Sequence, residues 1–245
     1  LSIDLAKIEH NTKTLVTLAH PQSITITGVT KACCGDPKVA NAMLKGGVSS
    51  LGDSRIQNIA RLKQAGIEND IMLLRTPMLS EVEKVLQYAD ISLNSELFVL
   101  RKLSKEAQRM GITHRVILML EIVERREGFL EKKLDTVIKK ITALDGIELY
   151  GLGINLACLT GVVPTEKKMQ EFDRIVEKIE DKLGRRLEKV GGGNSANIPL
   201  LLQSYHFSKT NNLRIGEGIL LGVETVHRTP IPNTYQDAFR LEAEL

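Results

Sequence analysis

What the chain lacks narrows its chemistry before any motif is read. Its three cysteines are an adjacent pair, Cys33 and Cys34, and an isolated Cys158. That spacing is neither a disulfide framework nor a zinc set, and it fits a reduced, cytoplasmic compartment. No cluster of His, Asp and Glu stands at metal-ligand spacing. No apolar run approaches the roughly 18 residues that a bilayer span needs, and no signal-peptide pattern opens the chain. The formal net charge of +3 is too small to suggest a nucleic-acid partner, and no basic stretch is interleaved with aromatics. Tryptophan is absent, with four tyrosines and five phenylalanines, a scarcity that by itself excludes nothing.

A chain of 245 residues can bury a full core, as one large α/β domain or two small ones. After an opening amphipathic helix, "DLAKIEHNTKTLVTLA", short β-type runs alternate with helical stretches. The runs are "ITITGVT", "SSLG", "IMLLR", "ISLN", "RVILMLE", "IELYGLGI", "LEKVGG" and "NLRIG", eight in all. Between them, stretches such as "DPKVANAMLKGG", "SRIQNIARLKQAG" and "SEVEKVLQYA" space apolar residues for a helix, several opening on Asp or Ser and closing on Gly. Strands alternating with helices imply parallel pairing through right-handed crossovers. Eight such units predict a closed (β/α)8 barrel of the TIM type, with an open doubly wound sheet as the alternative. The prolines of "HRTPIPNTYQD" mark an exit from the barrel. The chain starts at Leu1 without a methionine and stops within "FRLEAEL", which alternates like a strand just beginning. The expectation is a barrel over 1–228, then an exit segment and the first strand (229–245) of a C-terminal β-rich domain that is largely missing.

Active sites of such barrels lie at the carboxyl ends of the strands. Those ends carry Lys31, Asp53, Arg75, Asn94 with Ser95, Arg126, Asn155, the "GGGNSAN" loop, and Arg214 with Gly216. Each has an ordinary reading alone: a solvated lysine, a glycine turn, a surface arginine paired with Glu217. Together they say more. In "VGGGNSAN" the glycines admit backbone amides to a ligand, and Asn194 and Ser195 add side-chain donors. The following "NIPLLLQSY" reads as a helix whose N-terminus favours an anion. In "NLRIGEGILLG", Gly216 and Gly218 repeat the device, with Arg214 on the same side of the strand as Gly216. Loops after the seventh and eighth strands often hold a phosphate in this architecture.

In order along the chain, "GVTKACCGD", "LGDSRIQN", "SLNSE", "GINLACLTGVVPT", "GGGNSAN" and "NLRIGEGILLG" are similar to motifs of one family. The sequence resembles the fold-type III pyridoxal-phosphate (PLP) barrels, the alanine racemase N-terminal domain group, and within it the ornithine/alanine racemase branch. The resemblance covers essentially the whole chain. It implies a cytoplasmic isomerase that interconverts L and D amino acids by proton transfer at Cα, with ornithine or a similar basic amino acid as substrate. It implies that Lys31 bonds to the aldehyde of PLP and, once released, serves one face of Cα. Gly193, Ser195, Ile215 and Gly216 would hold the phosphate, with Asn194 beside them. Arg214 would face the pyridine nitrogen, to which a guanidinium of pKa above about 12 cannot transfer a proton. Arg126 matches an arginine near the phenolic oxygen, and Asn155 stands where alanine racemases carry a histidine beside the ring. Their tyrosine after the lysine motif has no counterpart in "KACCGD".

In alanine racemases the other face of Cα belongs to a tyrosine from the partner subunit's C-terminal domain, which implies a homodimer for the full-length form. Within this chain Cys158 and Tyr205 are candidates, though both read more readily as packing, as Cys33 and Cys34 do. Asp36, Asp53 and Glu121 are acidic candidates to meet a distal amine. Two other readings use the same lysine. A single-domain PLP-homeostasis protein shares the barrel without racemase activity, and a Schiff-base aldolase needs no PLP.

Overall fold

The eight β-type runs become eight parallel strands in the structure, a computed structural model that describes residues 1–122, 127–157 and 161–244. They are β1 (Thr25–Val29), β2 (Ser50–Asp53), β3 (Ile71–Leu73), β4 (Ile91–Asn94), β5 (His114–Glu121), β6 (Ile147–Gly153), β7 (Lys189–Asn194) and β8 (Asn212–Ile215). Each pairs with the next. β8 then pairs with β1, from Asn212 beside Thr25 to Ile215 beside Gly28. This last pairing closes the ring. An open doubly wound sheet, which would leave two free edges, is excluded.

The helices are α1 (Leu5–Ala19), α2 (Pro37–Lys45), α3 (Ile56–Gln64), α4 (Val82–Tyr88), α5 (Leu97–Met110), α6 (Glu131–Ile141), α7 (Glu166–Leu183), α8 (Ile198–Leu202) and α9 (Glu217–Leu221). Asp4 caps α1 by accepting from the amides of Ala6 and Lys7, and Asp36 caps α2 by accepting from Lys38 and Val39. The serines expected to open α3 and α4 do not cap them. Those helices start after Arg55 and Glu81, neither of which makes a side-chain cap bond.

Strand alternation divides the buried residues into two layers. Ile26 and Gly28 turn toward the helices, and a Cβ on Gly28 would meet Met43 of α2. Thr27 and Val29 turn inward. Inside the barrel, Met72, Ile91, Leu93, Ile117 and Met119 form one apolar cluster, with Leu74 and Tyr150 packed on it. Elsewhere the interior carries polar side chains: Asn212 Nδ2 donates to Thr27 Oγ1 at 3.0 Å, and Thr27 and Ser50 share a hydrogen bond of 2.8 Å. Beyond residue 228 the chain lies against α1. Asn11 exchanges side-chain hydrogen bonds with the backbone of Tyr235, Ile231 and Ala238 are buried, and Phe239–Arg240 pairs antiparallel with Ser2–Ile3.

His114, at the start of β5, is buried on the helix-facing side with its Nε2 2.9 Å from Ser92 Oγ. Burial, assisted by the neighbouring Arg115 charge, pushes its pKa down to about 4. An unfolded histidine protonates near 6.5, so acid protonates the unfolded chain before the folded one. The stability conferred by the neutral ring is therefore complete above about pH 6.5 and declines toward pH 4. Between pH 7.5 and pH 5 the chain should lose about 2 kcal/mol more than a His114→Gln variant does. Denaturant titrations of both proteins at the two pH values measure this, and equal losses would exonerate His114.

Candidate functional site

The turn that carries Lys31 is braced from the next strand. Thr30 donates its amide to Gly52 O at 2.9 Å and its hydroxyl to Asp53 Oδ2 at 2.8 Å. Asp53 is fully buried and also accepts from Asn58 Nδ2 at 3.0 Å and from the Arg55 amide at 2.9 Å. One 3-10 turn, Lys31–Cys33, follows. Cys34 and Gly35, both left-handed at φ +54° and +62°, then stop it, and the Gly35 amide returns to Thr30 O. Asp53 is thus a brace, and Asp36 a helix cap. Neither carboxylate is the expected partner for a distal amine.

Cys33 packs inside this turn with its thiol on Thr30 O. Burial, together with the nearby Asp36 and Asp53 charges, pushes the thiol up to about 11, so it stays protonated at neutral pH.

The glycines of "GGGNSAN" are strand, not loop, because β7 runs on to Asn194. Each has a steric reason inside the protein. A Cβ on Gly191 would strike the Arg214 guanidinium, one on Gly192 the Thr210 side chain, and one on Gly193 (φ +139°) the Asn197 amide. Asn194 uses both hydrogens of Nδ2, on Asn155 Oδ1 and Leu156 O, each at 2.8 Å, and accepts from the Ala196 amide. It therefore has no donor left for a ligand. It locks the ends of β6 and β7 together and leaves the Nδ2 hydrogens of Asn155 as donors.

Ser195 Oγ accepts from the Gly218 amide at 3.2 Å, which orients the hydroxyl and leaves its proton to donate. The expected helix after it is α8, and like α9 it has only five residues. Neither is long enough for a macrodipole to matter, so what they offer an anion is individual first-turn amides. Arg214 is buried, with Nη2 donating to Ile154 O.

Lys31, Asn155, Asn194, Ser195, Arg214 and Gly216 line a single cavity of about 210 Å³ at the carboxyl ends of the strands. β8 lies between β7 and β1, so Arg214 stands between the strand leading to Ser195 and the strand leading to Lys31. Val29, Leu74, Leu93 and Met119, inward-facing residues in or just past β1, β3, β4 and β5, complete its walls.

Gly193 and Ile215 do not line the cavity. The Cβ position of Gly193 faces Asn197, and Ile215 is a fully buried strand residue. Arg126 and Cys158 lie outside the described residues. Arg75 is exposed away from the cavity, Asn94 turns its amide back to Ser92, and Ser95 pairs with Thr76. Tyr205 stacks edge-on against Phe207 and donates to Glu166 O, clear of the cavity. Glu127, Glu217 and Thr225 also line it, and the strand-end rule does not reach them. Among the described residues no group of three or more His, Cys, Asp or Glu could hold a metal, and no helix is long and apolar enough to cross a membrane. A primary amine, a guanidinium, a hydroxyl and first-turn amides around one cavity can seat a small carbonyl compound that carries an anionic group.

The family described as alanine racemase, N-terminal domain, matches residues 3–223. A lysine racemase of Thermotoga maritima is 36% identical over 245 residues, covering 100% of this chain and 68% of that protein. An ornithine racemase of Acetoanaerobium sticklandii is 35% identical over 246 residues, covering 100% of this chain and 69% of that protein. The solved alanine racemase of Clostridium difficile 630 superposes with a TM-score of 0.78 at 22% identity, over 98% of this chain and 61% of that one. The chain thus spans about two thirds of the length of these proteins.

Replacing Asp53 by alanine leaves the Thr30 hydroxyl and the Asn58 amide buried without their acceptor. Asp53→Ala should lower the unfolding free energy by about 3 kcal/mol, as urea denaturation would measure. A loss below about 1 kcal/mol would mean that the turn is held by other bonds.

Proposed function

Because the chain belongs to the alanine racemase N-terminal domain family, we propose that its barrel is the PLP-binding part of an amino-acid racemase acting on a basic amino acid such as lysine or ornithine. The observation that carries the proposal is the single cavity shared by Lys31, Arg214, Ser195 and Gly216. This donor set fits PLP: an amine for the aldehyde, a hydroxyl and amides for the phosphate, and a guanidinium for the ring nitrogen. When bound, PLP supplies a conjugated ring that spreads the electron pair left at Cα as its proton departs.

The remaining work falls to the chain. Ser195 and the amides of Gly216 and Glu217 would hold the phosphate, and the Nδ2 hydrogens of Asn155 would be donors on the ring side of the cavity. Arg214 would donate a hydrogen bond to the ring nitrogen and, as a guanidinium, would keep its own proton, so the ring would draw in less charge than one protonated by a carboxylic acid. Lys31 Nζ takes the Cα proton from one face, or returns it there. Racemisation needs a second group on the other face. Among the described residues that line the cavity there is no tyrosine, cysteine or histidine to do this. We assign that group to a segment outside the barrel, reaching the site across a homodimer, and the enzyme to the cytoplasm. Two racemases matching the whole chain at 35% and 36% identity favour this over a PLP-homeostasis role.

Borohydride reduction with PLP, followed by peptide mapping, should place the pyridoxyl label on Lys31. Lys31→Ala should abolish that label and slow racemisation of L-lysine and L-ornithine by at least about 10²–10⁴-fold in the enzyme that contains this barrel. Chiral chromatography measures the second outcome. A label on another lysine, or faster turnover of alanine than of either basic amino acid, would sink the assignment.

A further inference from the structure

Among the described residues of the cavity wall, Thr225 is the one whose hydroxyl is left with nothing to bond. Its Oγ1 is shielded from solvent and has no hydrogen-bond partner among the described residues. Glu217 also lines the cavity, but its carboxylate is bridged by Arg228 at 2.9 Å. A buried hydroxyl without a partner costs stability, so a threonine kept in that state points to a partner that arrives later.

The backbone around Thr225 is held firmly. The neighbouring Glu224 is buried and accepts from the amides of Val226 and His227, each at 2.7 Å, and from both the amide and the hydroxyl of Thr229. Val223 and Pro230 form an antiparallel bridge, and the Ile231 amide donates to Gly222 O. Arg228 ties this hairpin back to Glu217, beside Gly216. Thr225 therefore approaches the cavity from the side that holds Gly216 and Ser195.

We propose that Thr225 is a cofactor-binding residue, whose hydroxyl, turned into the cavity about χ1, donates to the same phosphate group as Ser195. A phosphate has acceptor sites for several donors at once, whereas a single carbonyl oxygen would be satisfied by Ser195 and an amide. The inference rests on reading the cavity as a PLP site, and it adds a donor three residues beyond the last strand-end motif, "NLRIGEGILLG".

Three measurements on the 245-residue chain test it. Absorbance titrations give the affinities for PLP and for pyridoxal, which lacks the phosphate. Thr225→Val should weaken PLP binding about tenfold and leave pyridoxal binding within about twofold, while Thr225→Ser should restore most of the PLP affinity. Without ligand, Thr225→Val should unfold at the same or higher urea concentration than the parent, because it replaces an unpaired hydroxyl by a methyl of the same shape. Unchanged PLP affinity in Thr225→Val, or equal losses for PLP and pyridoxal, would overturn the phosphate contact. A destabilised ligand-free variant would overturn it too, by showing that the hydroxyl has a protein partner. If the parent chain bound PLP no better than pyridoxal, the cofactor reading would fail first, and the role of Thr225 with it.

Discussion

Arg214 carries a permanent charge inside the barrel, and three strands are shaped around it. The residue is only 6% exposed, and a guanidinium cannot shed its proton to ease burial. It needs hydrogen bonds and it needs room. One bond goes to Ile154 O, just past the end of β6. The room comes from Gly191 on β7, where a Cβ would strike the guanidinium, whereas a Cβ on Gly153 of β6 would press first on Met119. Glycine-rich segments make poor strands alone, because they fix the most flexible backbone and pack no side chain. β7 forms nonetheless, since β6 and β8 pair it on both sides and the arginine fills its face. The positive charge at the cavity is thus a consequence of how the barrel packs.

This explains where sequence reading succeeded and where it stopped. The alternation of runs such as "ITITGVT" and "RVILMLE" with helical periods made the barrel legible, and the strand-end rule put Lys31, Asn155, Ser195, Arg214 and Gly216 at one mouth. Direction was harder to read. Asp53 and Asn94 end their strands as Lys31 nearly does, yet alternation turns both outward beneath the helices, where they are fully buried. The triple glycine looked like a ligand cradle, and its collisions with Arg214, Thr210 and Asn197 show it to be packing. Asn194 looked like a donor to a ligand, and both its hydrogens hold β6 and β7 in place. Two of these outcomes depend on neighbours distant in sequence, Arg214 for Gly191 and Asn155 for Asn194, which a local pattern cannot name. Thr225 is the extreme case. It lies past a helix and a turn, in a hairpin held by Glu224, and no spacing in the sequence connects it to Ser195.

The cavity and the closure of the barrel are one event. Lys31 follows β1, the first barrel strand, whereas Ser195 follows β7 and Arg214 lies on β8, the last two. They share a wall only because Asn212–Ile215 pairs with Thr25–Gly28. That contact joins the most distant strands in the sequence, so its chain-entropy cost is the largest of any strand pair here, though it grows only slowly with length. One brace lies at this seam and two lie on the strands that flank it. Asn212 bonds to Thr25 and Thr27 across β8 and β1, Thr30 bonds to Asp53 across β1 and β2, and Asn194 ties β7 to β6. A ligand that touches Lys31 and Ser195 together adds one more link across the same seam. Binding only the closed form, it stabilises that form by mass action, so occupancy of the cavity and integrity of the barrel are linked equilibria. The unpaired hydroxyl of Thr225 belongs to the same balance: a cost carried by the closed, ligand-free barrel that a bound anion removes.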